Sequence, residues 1–233
     1  MYENRDSRRT EAPLAVLGSG LMYPQVDLQE VPYLKFYGVR GLYTRSCISR
    51  TDDFSIGIGD PGLLVADLFA RYSGGGTTQL GVIPHVGFQS DRGILDRIKE
   101  ARANGIDVRV LDIGTDDFAG FLDAMRDCRY ILSQSLHGLI FADALGIPNI
   151  WWNDRLLNSR GGRFKFYDYF SSVDRTPRLQ LNAASPLDTQ ALKDESFILD
   201  EKTLAATIRD IRRYHEKALK VMGGEPREKS SAG

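Results

Sequence analysis

Apolar and polar positions alternate in two different rhythms along the 233-residue chain. Short apolar runs, typical of buried strands, predict β-strands at Leu14–Leu17, Lys35–Val39, Phe54–Ile58, Gln79–Pro84, Asp107–Leu111, Arg129–Ser133 and Asn149–Trp152. Longer amphipathic segments predict helices over Leu42–Ile48, Pro61–Ala70, Gly93–Asn104, Asp116–Asp127, Leu136–Leu145 and Glu201–Met222. Strands that alternate with helices in this way are typical of an α/β fold with parallel sheets.

Three consecutive glycines in "YSGGGTTQ" (Tyr72–Gln79) mark the best internal boundary, because glycine-rich segments are flexible. We predict a Rossmann-like domain over residues 1–73, a second one over residues 77–222, and a disordered tail over residues 223–233. Only three predicted strands precede the boundary, and the chain opens on the charged, poorly patterned "MYENRDSRRTEAP". The first domain is therefore expected to be incomplete.

The composition restricts the possible partners and compartments. The 30 basic and 31 acidic side chains give a formal net charge of -1, whereas nucleic-acid-binding proteins usually carry a basic surplus. No apolar stretch is long enough for a transmembrane helix, and the N-terminus lacks the apolar core of a signal peptide. We therefore expect a cytoplasmic protein in which Cys47 and Cys128 are free thiols.

His137, one of only three histidines, lies in the otherwise apolar stretch "SQSLHGLIFADALGIPNIWW". Ser135 is the predicted N-cap of a helix that follows the strand ending at Ser133. The histidine then falls in the first helical turn, beside free backbone N–H groups, where open α/β sheets bind ligands. The alternative is a histidine whose ring is satisfied by a local backbone hydrogen bond.

Other polar groups follow predicted strands in the same way. His85 ends the strand "LGVIPH", and Arg40 closes "LKFYGVR". Two histidines and an arginine at strand ends indicate a shared cleft for an anion. The "GSG" of Gly18, Ser19 and Gly20 follows the strand "LAVL" and either lets a ligand approach the backbone closely or is a simple turn.

"SRGGRFKFYDYF" (Ser159–Phe170) places Arg163 and Lys165 among glycines and aromatic residues after the last predicted strand. We predict a basic, glycine-hinged loop that closes over a phosphate or sugar. Alternatively, the aromatic side chains only anchor the loop to the core.

Several common site motifs are weak or missing. "GIGDPG" matches the glycine spacing of a dinucleotide-binding turn, but no acidic residue follows at the required distance. Asp60 and Pro61 are better interpreted as an N-cap and a first helical residue. Neither a metal-ligand cluster, a Walker loop nor a nucleophile elbow occurs in the sequence, so we predict a site without metal or cofactor.

Five segments occur in an order and at intervals that resemble the polysaccharide pyruvyl transferase family, over roughly Leu14 to Val173. They are "YGVRGLYTR", "IGDPGLLVADLF", "LGVIPHVGFQ", "SQSLHGLIFADALGIPNIWW" and "GGRFKFYDYFSS". Members of this family move the enolpyruvyl unit of phosphoenolpyruvate onto a sugar, usually as a cyclic ketal on two hydroxyls, and release phosphate. Their fold resembles the GT-B glycosyltransferases, with two Rossmann-like domains and a substrate cleft between them.

The resemblance implies roles for the residues singled out above. Phosphoenolpyruvate is the implied donor substrate, and no further cofactor is implied. His137 is expected to protonate its methylene carbon, with His85 as a second acid/base or as a phosphate donor. The implied substrate-binding residues are Arg40, Ser135, Leu136 and Gly138, the turn of Gly18, Ser19 and Gly20, and more weakly Arg163 and Lys165.

The resemblance also implies partners. The acceptor is a saccharide of a bacterial exopolysaccharide or cell-wall polymer precursor, and many members use lipid-linked acceptors, which would bring this protein to the periphery of the inner membrane. Nucleic acid is not an expected partner, and a homo-oligomer is compatible with the sequence.

The chain departs from the family pattern at two points. Ser135 stands where some members carry arginine, and members generally begin with a further segment of the first domain that has no equivalent here. Two alternatives therefore stay open. The chain is a GT-B glycosyltransferase that uses a nucleotide sugar, or a non-catalytic domain that binds a sugar or an anion.

Overall fold

The computed structural model describes residues 13–25, 33–48, 55–86, 92–152, 162–176 and 187–223, which form two parallel β-sheets with surrounding helices. The first sheet has the order β1-β2-β3, formed by Leu14–Leu17, Leu34–Val39 and Gly57–Ile58. The second has the order β5-β4-β6-β7, formed by β4 (Thr78–Ile83), β5 (Val108–Val110), β6 (Cys128–Ser133) and β7 (Asn149–Trp151). All neighbouring strands in both sheets are parallel, which confirms the predicted α/β class.

The helices follow the strands in chain order. They are α1 (Leu42–Ile48), a 3₁₀ helix (Pro61–Asp67), α2 (Arg92–Ala103), α3 (Phe118–Arg126), α4 (Leu136–Leu145), α5 (Phe164–Ser172), α6 (Thr189–Glu195) and α7 (Glu201–Val221). The segment after β3 was expected to be a longer helix, and it forms a 3₁₀ helix instead. Of the strand predicted from Phe54, the part before Ser55 lies outside the described residues.

Helix α4 lies in the interior of the protein. Every residue of this helix except His137 is buried, and the helix packs against β6, β7 and the 3₁₀ helix. Ser135 precedes its first turn, and Gly146 ends it in the left-handed conformation with φ of 70°, as the sequence predicted. His137 is therefore the one exposed side chain of α4.

The predicted loop over Ser159–Phe170 is wrong from Phe164 onward, because this part forms helix α5. Phe166, Tyr169 and Phe170 are spaced three and four residues apart, so that they share one face of a helix and are buried against the core. Trp151 of β7 stacks on Phe166, with ring centroids 4.7 Å apart. The aromatic residues thus anchor the segment to the core, which is the alternative considered in the sequence analysis, but the segment is a helix and not a loop. Residues 159–161 lie outside the described part.

Helix α7 packs against the first sheet. The ring of Tyr214 lies so close to Gly38 and Gly57 that neither position has room for a side chain, and its hydroxyl donates to the Gly59 carbonyl at 3.0 Å. The predicted domain limits place α7 in the second domain, whereas its packing joins it to the first sheet. The domain limits themselves stay a prediction.

Within the described residues, no helix is both long enough and apolar enough to cross a membrane.

Candidate functional site

A cleft of about 490 Å³ lies where the strand ends of the first sheet face the start of α4. It is lined by Leu17, Gly18, Ser19, Gly20, Arg40, Asp60, Pro61, Gly62, His137 and Phe141. β1, β2 and β3 each end within two residues of this wall, so the cleft occupies the position where open α/β sheets bind ligands. Five residues predicted from the sequence thus meet in one place: the three of the glycine turn, the arginine and the histidine.

The glycine turn is required by close approach of other groups. Gly18 has φ of +86°, and a side chain there would collide with Pro61 and Tyr214. A side chain at Gly20 would collide with the guanidinium of Arg40. The "GSG" motif is therefore a turn whose glycines bring the backbone against Arg40, and it lines the cleft at the same time.

Arg40 is held rigidly in the cleft wall. Its side chain is only 8% exposed, its Nε donates to Asp168 Oδ2 at 3.0 Å, and its Nη2 donates to the Leu21 carbonyl at 2.7 Å. Burial lowers the pKa of the Arg40 guanidinium, and the charge of Asp168 opposes this effect. Because arginine remains protonated under such conditions, the cleft contains a fixed positive charge.

Asp168 connects α5 to the cleft, and the sequence analysis missed it. Its Oδ1 accepts the Thr44 N–H and its Oδ2 accepts the Thr44 hydroxyl, both at 2.7 Å. A second contact nearby joins the same elements, since the Leu42 N–H donates to Ser171 Oγ at 2.9 Å. The only sequence signal was one carboxylate within an aromatic helical face, so α5 holds Arg40 through a bond that no local pattern indicates.

Asp60 was interpreted from the sequence as an N-cap, and this is confirmed because its Oδ1 accepts the Gly62 N–H at 2.9 Å. It is also a wall of the cleft, which the sequence analysis missed, and it is only 9% exposed. Burial raises the pKa of the Asp60 carboxyl, and the neighbouring His137 and Arg40 oppose this shift. Its position two residues after a strand was the signal that could have placed it in the site.

His137 lies exposed at the mouth of the cleft, with its ring centroid 5.9 Å from that of Phe141. Its ring makes no hydrogen bond to any residue that the structure describes. The local backbone hydrogen bond considered in the sequence analysis is therefore not formed with these residues. Ser135 makes no side-chain hydrogen bond to the first turn of α4. The N–H groups beside the histidine are therefore not capped by this serine.

Leu136 and Gly138, the neighbours of His137, lie in the core. Leu136 is 5% exposed, and a side chain at Gly138 would collide with Ser133 Oγ. Neither residue is part of the cleft wall, so any contribution to ligand binding would come from their backbone groups.

His85 is not part of the cleft wall either. Its N–H donates to Gln134 Oε1 at 3.1 Å, and its Nδ1 lies 2.7 Å from the Val86 carbonyl oxygen. The structure therefore places this histidine at the carboxyl end of β4, and it does not bring it together with Arg40 in the cleft wall.

Arg163 and Lys165 lie at the start of α5 and also do not line the cleft. Burial lowers the pKa of Lys165, and the positive charge of Arg40 lowers it further. The Arg163 Nε atom is buried without a hydrogen-bond partner among the described residues. The start of α5 thus adds positive charge on the Arg40 side of the cleft.

The described residues contain no group of three or more side chains suited to bind a metal ion.

The two parallel sheets and the polar cleft at the strand ends define a class: Rossmann-like α/β proteins with a ligand site at the carboxyl edge of a sheet. Within this class the chain belongs to the polysaccharide pyruvyl transferase family, whose family model matches residues 33–152. This range contains Arg40, Asp60 and His137.

A similar protein gives no functional information. An uncharacterized protein of Acanthamoeba polyphaga mimivirus is 34% identical over 161 residues, which cover 67% of this chain and 53% of the relative. The chain therefore spans about half the length of this curated relative.

Proposed function

We propose that this chain transfers the pyruvyl group of phosphoenolpyruvate onto a sugar of a bacterial exopolysaccharide or cell-wall polymer precursor, forming a pyruvate ketal. The observation that carries the proposal is the meeting of Arg40, Asp60 and His137 in one cleft at the strand ends. A fixed cation beside titratable groups is what an anionic donor that reacts through proton transfer requires.

Donor binding rests on the positive side of the cleft. The Arg40 guanidinium is hydrogen-bonded to Asp168 and lines a cleft that is also lined by the start of α4. Free N–H groups at a helix start attract phosphate or carboxylate. Arg40 and the first turn of α4 therefore bind the two anionic groups of phosphoenolpyruvate, and Lys165 strengthens the local positive charge.

His137 acts as the general acid. Protonation of the methylene carbon of phosphoenolpyruvate leaves an oxocarbenium-like carbon that a sugar hydroxyl can attack. Attack by a second hydroxyl then displaces phosphate and closes the ketal. Histidine suits this role because its ordinary pKa lies close to neutral pH, and the exposed position at the cleft mouth lets the ring meet both substrates.

The acceptor and the location of the protein belong to the same proposal. A lipid-linked saccharide would bring the protein to the cytoplasmic surface of the inner membrane. Neither His85 nor Arg163 lines the cleft, so we assign both to its surroundings. There they would make additional contacts to the phosphate or the acceptor.

Calorimetric titration with phosphoenolpyruvate tests the donor site, with UDP-glucose as the competing ligand class. Arg40→Gln should weaken phosphoenolpyruvate binding by about tenfold or more. His137→Gln should retain binding but reduce acceptor-dependent phosphate release by about 100-fold or more. Binding of UDP-glucose without binding of phosphoenolpyruvate would instead favour a nucleotide-sugar glycosyltransferase.

A further inference from the structure

We infer that Asp60 is the catalytic base of the cleft, the group that takes the proton from the attacking hydroxyl of the acceptor sugar. The inference rests on the proposed function and deepens it, because it assigns protonation of the donor and deprotonation of the first acceptor hydroxyl to two different side chains. His137 serves the donor, and Asp60 serves the acceptor.

The geometry of Asp60 leaves one carboxylate oxygen for this task. Oδ1 accepts the Gly62 N–H at 2.9 Å, which fixes the orientation of the side chain. Oδ2 has no hydrogen bond to any described residue, and the side chain forms part of the cleft wall beside Arg40 and His137. The residue is only 9% exposed, and it lines the cleft.

Capping alone does not account for an aspartate at this position. The N-cap aspartates of α3, α6 and α7, which are Asp117, Asp188 and Asp200, are exposed or half-buried. Asp60 is buried, and burial of a carboxylate is unfavourable. Asparagine or serine would cap the helix equally well without that cost. An ionisable group kept under these conditions is typical of a functional site.

The groups around Asp60 keep it able to ionise. Arg40 at the end of β2 and His137 on α4 favour its charged form, whereas Asp168 on α5 disfavours it. Tyr214 of α7 and Tyr169 of α5 also interact with its charge. Burial dominates and raises the pKa of Asp60, which makes its carboxylate a better proton acceptor than an exposed one.

The proton transfers balance with these two residues. Protonated His137 gives its proton to the methylene carbon, and the first hydroxyl oxygen bonds to the adjacent carbon while its proton moves to the Asp60 carboxylate. The second hydroxyl oxygen bonds to the same carbon as the bond to phosphate breaks, and its proton leaves on the phosphate. Asp60 then returns its proton to His137, so both side chains regain their starting state.

Asp60→Asn is the informative variant, because asparagine keeps the capping oxygen for Gly62 but cannot accept the proton. Asp188→Asn is the matched control: Asp188 caps α6 by accepting the Ala191 N–H at 2.8 Å, and it does not line the cleft. Phosphoenolpyruvate binding is measured by calorimetry. Acceptor-dependent phosphate release is measured with the full chain between about pH 5 and pH 9.

Asp60→Asn should bind phosphoenolpyruvate at least as tightly as the unchanged protein, because a negative charge beside the anion is removed. Phosphate release should fall by about 100-fold or more. The unchanged protein should lose activity as pH falls through the raised pKa of Asp60, and the residual activity of the variant should lack this acidic limb. Asp60→Glu should restore part of the rate, and Asp188→Asn should behave like the unchanged protein.

Phosphate release within about threefold of the unchanged protein in Asp60→Asn would overturn the inference while the proposed function stands. Loss of phosphoenolpyruvate binding together with lowered stability in this variant would also overturn it, in favour of a structural role. An unchanged protein that neither binds phosphoenolpyruvate nor releases phosphate would overturn the proposed function itself, and the inference with it.

Discussion

Arg40 and Asp168 are separated by 128 positions in the chain and form a buried ion pair, with Arg40 Nε 3.0 Å from Asp168 Oδ2. Asp168 also accepts two hydrogen bonds from Thr44, at the start of α1. The cation of the cleft is therefore positioned by α5, a helix that lies outside the cleft wall. The packing of α5 on α1 should therefore influence ligand binding in the cleft.

Breaking this pair should destabilise the protein strongly. Asp168→Asn leaves the buried guanidinium without its countercharge, and we expect the free energy of unfolding to fall by about 3–5 kcal/mol. Asp123→Asn is the control, because Asp123 pairs with Arg126 at 3.2 Å on the surface and should contribute less than about 1 kcal/mol. Urea denaturation monitored by circular dichroism measures both. Equal effects of the two variants would show that the buried pair does not hold α5.

Gly41 directly precedes α1 and lies against the backbone of α5. A side chain at this position would collide with the backbone carbonyl oxygen of Asp168. Gly41→Ala should therefore lower the free energy of unfolding by about 1–3 kcal/mol or more, because backbone cannot move aside as a flexible side chain can. Gly75→Ala, with open space around the added carbon, should change it by less than about 0.5 kcal/mol. A stable Gly41→Ala protein would contradict the close packing of the two helices.

A second buried carboxyl, Asp143 of α4, depends on hydrogen bonds from its neighbours. Its Oδ1 accepts from Asn149 and its Oδ2 from the Tyr169 hydroxyl, both at 2.7 Å. Tyr169→Phe should cost about 1–3 kcal/mol of stability, because it leaves a buried acceptor without this donor. Tyr167 lies on the same helix, and its hydroxyl makes no hydrogen bond to a described residue, so Tyr167→Phe should be close to neutral.

The effect of Tyr169→Phe should depend on pH. Burial raises the pKa of Asp143 in the folded protein, so its ionisation lowers stability as pH rises through the interval between the ordinary and the raised pKa. The Tyr169 hydroxyl favours the ionised form and lessens that cost. The stability loss in Tyr169→Phe should therefore be larger at neutral pH than at acidic pH, as measured by urea denaturation at several pH values. A constant loss would mean that Asp143 stays protonated throughout.

The two cysteines, which are free as expected, should differ in reactivity. Burial raises the pKa of Cys128 to about 12, and Cys128 Sγ donates to the Ala124 carbonyl at 3.3 Å. Cys47 is half-buried, and burial and the charge of Asp168 also raise its pKa. An aromatic disulfide reagent at neutral pH should modify Cys47 slowly and Cys128 only after unfolding, because the thiolate is the reactive form. Rapid labelling of two thiols in the unchanged native protein, or of the remaining thiol in native Cys47→Ser, would contradict the buried position of Cys128.

The strands and most helices were predictable because their signals are local. The β4, β6 and α4 segments follow the predicted ranges within one residue at each end, since apolar runs and boundary residues such as Ser135 and Gly146 lie in or directly beside the elements that they define. Helix α5 was missed because its glycine-rich, basic start resembled a loop. Its aromatic spacing, which matches a helix face, was the stronger signal.

The sequence by itself determined the α/β class, the order of the elements and the positions of Arg40 and His137 beside strand and helix ends, because each depends on a few neighbouring residues. Only the tertiary structure decided that these two share a cleft with Asp60, and that His85 lies outside the cleft wall. It also decided that Asp168 holds Arg40. Those relationships arise from the packing of α4 on the 3₁₀ helix and of α5 on α1, which are contacts between distant parts of the chain that no local pattern encodes.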